Sequence, residues 1–177
     1  MTKRNVPDPF QPELPFGSPQ THFRGLPWFK NIEKTEPTSC PHCHQPTNVY
    51  RRPISAIVAR TLIKLYYLDQ RDPEKPWHHI KELYRDRGDW AKLKFFGLIE
   101  EAANDNVKKK TSGLWKITEA GRNFVLGKIH LPKYALVRWN SELIGFAGNA
   151  VTIRICVEAK NQFSYDKLMN EGIVFVD

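Results

Sequence analysis

The chain has 177 residues, a length that suits one domain or one domain with appendages. Its hydrophobic fraction of 41% is enough for a core, and its formal charge of +8 favours an anionic partner. Three cysteines make no disulfide framework, no apolar run reaches the about 18 residues that span a membrane, and none opens the chain as a signal peptide, so a reducing, cytoplasmic setting is expected.

Residues 1–38 read as an extended arm. Pro7, Pro9, Pro12, Pro15 and Pro19 each fix φ and remove a donor, which excludes a helix or an inner strand. Phe10, Phe16, Phe23, Trp28 and Phe29 are spaced along the same stretch. An arm with that many large apolar groups is expected to lie in a groove, either on its own domain or on a protein partner.

Residues 39–52 carry the sharpest chemical motif, Cys40-Pro41-His42-Cys43-His44. A C-x2-C turn sets two thiolates on one side of a loop, as tetrahedral zinc requires. The motif resembles one half of a zinc ribbon, with His44 where that family carries glycine. A four-ligand zinc site would take Cys40, Cys43, His44 and one of His78 or His79, with His79 the chosen candidate. An empty knuckle and a reduced C-x2-C remain as alternatives. Tyr50-Arg51-Arg52-Pro53 then joins the knuckle to the first helix, with Pro53 in its first turn. Arg51 and Arg52 stand beside that helix start, toward a phosphate or toward solvent.

Ile54, Ile57, Val58, Thr61, Leu62, Leu65 and Leu68 follow helical spacing, with Ala56, Ala59 and Ile63 widening the stripe. Asp72 to Pro76 ends this helix. His78-His79 leads into a short helix over about 79–86, with Ile80, Leu83 and Tyr84 inward. Arg87-Gly88-Asp89 is a turn, and Asp89 is expected to cap a third helix anchored by Trp90, Leu93 and Phe95 or Phe96. Gly97 is its expected stop. Lys92 lies off the buried face and Lys94 near its edge.

Leu98-Ile99-Glu100 starts an extended run. Asn104 to Gly113 is a tip of turn formers around Lys108-Lys109-Lys110, and Leu114-Trp115-Lys116-Ile117 alternates as a return strand. Thr118 caps a helix running to Lys128, with Phe124, Val125 and Leu126 inward.

From residue 53 to about 127 the chain resembles the winged helix-turn-helix superfamily. The resemblance is carried by Gly97-Leu98-Ile99-Glu100 and Trp115-Lys116-Ile117-Thr118-Glu119-Ala120-Gly121. It implies an α+β fold: a winged-helix domain over 53–130, preceded by the zinc-knuckle-like loop. It places the third helix toward the major groove of DNA and the charged tip, as a wing, along the backbone. The third helix lacks the Arg, Asn and Gln that read bases and so suits phosphate contact. The expected DNA-binding residues are Lys92, Lys94, Lys108, Lys109, Lys110 and Thr111, with Arg51 and Arg52. The expected function is double-stranded DNA binding by a small regulator of transcription. Winged helices also grip other proteins, so an adaptor or inhibitor that uses the arm without binding DNA is the alternative. The layout as a whole also resembles small bacterial or phage proteins.

Residues 131–177 read as an appendage on the same core. Tyr134 to Trp139 and Glu142 to Phe146 flank Asn140-Ser141 as a hairpin. Val151 to Val157 alternates like a strand, yet Thr152 as a cap favours a helix, with Cys156 a small core residue. Tyr165 to Asn170 is a short helix stopped by Gly172, and Ile173 to Val176 is a terminal strand or docking tail. The chain has no P-loop, HExxH or GxSxG motif, so no catalytic residue and no small-molecule substrate are expected.

Overall fold

Ser55 sets the start of the longest helix. Its extended backbone and its hydroxyl, which accepts from the Val58 amide, begin α1 (Ala56–Arg71). Pro53 is therefore not in the first helical turn. It ends a strand, β1 (Val49–Pro53), where its missing donor is tolerated because β1 lies at a sheet edge. The computed structural model describes residues 48–83, 89–104, 109, 111–138 and 142–170. Over these the fold is mixed α+β with two small antiparallel sheets.

The first sheet comes after α1 in the chain. His78 and His79 form a two-residue strand, β2, rather than the opening of a helix. The short helix α2 (Ile80–Leu83) comes after it, where His79 Nδ1 accepts from the Lys81 amide at 3.1 Å and Glu82 Oε1 from the His79 amide at 3.1 Å. Tyr84 lies outside the described residues.

Trp90–Phe96 is a 3₁₀ turn rather than an α-helix. Its three-residue repeat eclipses Trp90, Leu93 and Phe96, and all three are buried. The Asp89 side chain makes no capping hydrogen bond. Gly97 stops the turn as expected, in the left-handed conformation at φ 68°.

β3 (Ile99–Glu101) and β4 (Leu114–Ile117) then pair, and β4 also pairs with β2, giving the order β2-β4-β3. Thr118 ties this sheet to the next helix, α3 (Glu119–Val125). Its hydroxyl accepts from the Gly121 amide at 3.0 Å, capping α3, and donates to the Gly97 carbonyl at 2.6 Å. Phe124 and Val125 are buried, whereas Leu126, expected inward, is 40% exposed because the helix has ended.

The second sheet holds β5 (Leu131–Arg138) and β6 (Glu142–Val151), the expected hairpin, extended at its open end. Pro132 lies inside β5. β1 pairs with β5 from Val49↔Arg138 to Pro53↔Tyr134, so the order is β1-β5-β6. The expected boundary between knuckle and helical domain thus falls inside a strand. Thr152 caps a helix, α4 (Ile153–Val157), and α5 (Tyr165–Asn170) completes the described chain. Residues 173–176 lie outside the described part.

One core serves both sheets. Leu62 and Ile63 of α1 are fully buried, in one cluster with Trp115 of the first sheet, Val137 of the second and Val157 of α4. Phe96 and Phe146 meet across the two regions with ring centroids 5.8 Å apart. Among the described residues no helix is long and apolar enough to cross a membrane.

Candidate nucleic-acid interface

The second sheet and the 3₁₀ turn meet at the start of α1, and a cleft of about 300 Å³ opens there. β1 contributes Arg51 and Arg52 to its lining, and the 3₁₀ turn contributes Lys92. Pro53, Ile57 and Val58 give it an apolar floor, and Ser55 adds a hydroxyl. Three cations expected to contact phosphate, from two stretches about forty residues apart, thus line one concavity.

Each cation has a local setting. The Arg52 guanidinium stands 5.0 Å from the Tyr50 ring centroid, which orients it. Lys92 Nζ pairs with Asp89 Oδ2, and Asp89 itself lines the cleft. The Asp89 side chain is 71% exposed, so water competes for this pair and it holds Lys92 weakly. Arg51 is exposed.

The other expected contacts lie elsewhere. Lys94 is exposed, with its ammonium 5.9 Å from the Phe95 ring centroid, and does not line the cleft. On the tip between β3 and β4, Lys109 and Thr111 are exposed, while Lys108 and Lys110 lie outside the described residues. The Asn104 amide donates to the Lys109 carbonyl at 2.5 Å and ties one side of the tip to the other. Lys116, on β4, is committed: its ammonium is 3.1 Å from Glu100 and 4.6 Å from the Trp77 ring centroid.

Of the expected zinc ligands, Cys40, Cys43 and His44 lie outside the described residues. His79 is described, and its Nδ1 accepts from the Lys81 amide. Among the described residues no three potential ligands cluster as a metal site. His78 is buried, and neither ring nitrogen has a hydrogen-bond partner among the described residues. Its Nδ1 lies 3.6 Å from Glu82 Oε2. Burial raises the Glu82 pKa, but the His79 amide and the charges of Lys75 and His78 outweigh it and hold the carboxyl below its usual value.

Two lining residues do not stand out in the sequence as site residues. Ser55 precedes a helical stripe, and Asp89 has the signature of a helix cap. A second, more open cavity of about 540 Å³ involves Glu158, Phe163, Ser164 and Lys167. Asn161, which also lines it, and the preceding Lys160 are both left-handed, at φ 54° and 62°. It contains no residue singled out from the sequence. No family model, no curated protein and no solved structure matches the chain.

Proposed function

We propose that this protein binds nucleic acid, double-stranded DNA first, through a winged helix, chiefly by phosphate contact and as a small regulator. One observation carries the reading: Lys92 lines a single cleft with Arg51 and Arg52 although it is remote from them in sequence. Cations brought together at a concave surface focus a positive potential that a phosphate neutralises. The order of elements supports the same reading. Helix α1, strand β2, helix α2 and the 3₁₀ turn precede a strand, a tip and a strand, with β4 between β2 and β3. Apart from β2, which the sequence reads as a helix entry, this order is compatible with the winged-helix resemblance, the 3₁₀ turn standing where its third helix is expected.

The test is fluorescence anisotropy of a labelled duplex over a salt series. Three phosphate contacts at the cleft would contribute about −3 to the slope of log K against log salt, since each contributes about −0.9. Arg51→Ala with Lys92→Ala should make the slope shallower by about 2. A duplex that fails to bind at ~50 mM salt would overturn the reading, because backbone contact is strongest there.

A further inference from the structure

The cleft is concave, and that separates it from a flat basic patch. A flat patch offers a backbone phosphate contact alone, whereas a cavity can also take a group that projects from the backbone. Its volume of about 300 Å³ is at the lower end of the range of small-ligand sites, about 300–1,000 Å³. Its two kinds of lining also match a two-part ligand. Arg51, Arg52 and Lys92 suit an anion, and Pro53, Ile57 and Val58 suit an apolar body beside it.

Asp89 decides which anion. In the free protein its carboxylate already holds Lys92. An incoming phosphate must displace that single negative charge. An internal phosphodiester carries one charge and competes about evenly. A terminal phosphate monoester carries about −1.5 to −2 at neutral pH, with three acceptor oxygens. The monoester, with more charge and a third oxygen, displaces the carboxylate from Lys92 more readily than a diester does, and a guanidinium from β1 can share it in a planar fork.

Resting on the nucleic-acid reading above, we propose that the cleft takes the terminal phosphate of a nucleotide unit, with Arg51 and Lys92 as its principal cations and Asp89 as the resident anion it displaces. The same chemistry is offered by a phosphorylated duplex end and by a free mononucleotide, and these are separable.

The full chain is titrated with adenosine 5′-monophosphate, adenosine and inorganic phosphate by calorimetry at ~50 mM salt. In parallel, duplexes with phosphorylated and with hydroxyl ends are compared by anisotropy. The monophosphate should bind at least about tenfold tighter than adenosine, and phosphorylated ends about tenfold tighter than hydroxyl ends. Lys92→Gln should lose about tenfold for the monophosphate, and Asp89→Asn should gain several-fold. Arg51→Ala should match Lys92→Gln. If it disturbs β1, visible as a lowered melting temperature, Lys92→Gln decides.

Equal binding of monophosphate and adenosine overturns the site. Tight duplex binding that ignores end chemistry overturns it while leaving the nucleic-acid reading intact. Monophosphate binding without any duplex binding keeps the site, assigns it to free nucleotides and removes the nucleic-acid reading.

Discussion

The two sheets of this protein are held together in opposite ways. In the first, β2, β3 and β4 run for 2, 3 and 4 residues, so its ladder supplies few hydrogen bonds. Side chains hold it. Trp115 of the middle strand packs edge-on against Trp90 at 4.9 Å, and Asp69 of α1 grips Arg122 of α3 in a two-bonded fork, both bonds 2.8 Å. In the second, β5 and β6 run for 8 and 10 residues and pair along most of their length. Beyond it in the chain, a side-chain fork of Arg154 with Asp166, at 2.7 and 2.6 Å, joins α4 to α5 in solvent. A region held by side chains is fixed by depth of burial, and one held by a ladder tolerates exposed side chains. The cleft lies where the two meet. Its cations from β1 stand on the ladder-held sheet, and Lys92 stands on the packing-held turn.

The sharpest way to break the first region is to add one carbon at Gly121. A Cβ there would stand 2.2 Å from the Leu98 carbonyl oxygen and 2.6 Å from Ile117 Cγ1. The nearer atom is backbone, so no rotamer change relieves the clash. Gly121→Ala should cost about 3 kcal/mol or more, the upper range of overpacking, read as a shift of the urea midpoint. A loss below about 1 kcal/mol would mean that α3 slides easily on the sheet and that packing does not fix this region.

The two forks give the next contrast. Asp69 is buried, its side chain 6% exposed, while Arg122 is 39% exposed. Asp69→Ala leaves a guanidinium that reaches water, so its cost should fall below that of a fully buried pair, at about 2 kcal/mol. Arg154→Ala should leave the midpoint unchanged within error. Both of its partners are exposed, and the low Asp166 carboxyl pKa reports a hydrogen bond to Arg154 made largely in water. Equal losses from the two substitutions would remove the distinction by depth.

The legibility of this architecture in the sequence divides along the same line. α1, the Gly97 stop, β4, the Thr118 cap, the β5–β6 hairpin and the Thr152 cap are written in local signals: apolar period, cap residue and turn residue. The parts that were not legible depend on partners remote in sequence. Tyr50-Arg51-Arg52-Pro53 reads as a charged joint and becomes a strand only because β5 offers it a ladder. His78 and His79 form a strand only against Leu114 and Trp115. The site divides likewise. Arg51, Arg52 and Lys92 stand out singly as cations, but their convergence results from β1 pairing with β5 while the 3₁₀ turn packs on α1. Asp89 reads as a cap because the residue before a helical run is usually one. Here the turn is 3₁₀ and its carboxylate is left for Lys92.

Cys156 tests whether the two regions are one cooperative unit. It lies on α4, buried among residues of the core that both sheets share. Burial pushes its thiol up from 9.0 to about 12, only partly offset by the charge of Lys133. Well below pH 9.0 the thiol is largely protonated in folded and unfolded chains alike and its ionisation contributes little. Between 9.0 and about 12 the unfolded chain ionises first, so stability falls as pH rises, and Cys156→Ala should flatten that part of the profile. In a Cys40→Ser, Cys43→Ser chain, where Cys156 is the remaining thiol, native labelling at pH 8 should be about a hundredfold or more slower than in denaturant. Labelling at rising urea should then track the loss of the Trp90–Trp115 near-ultraviolet signal, because α4 packs on α1, the helix that also carries the first sheet. Labelling well before that signal is lost would mean that the ladder-held region opens alone, and that β1 with its two arginines can part from Lys92 while the rest of the fold stands.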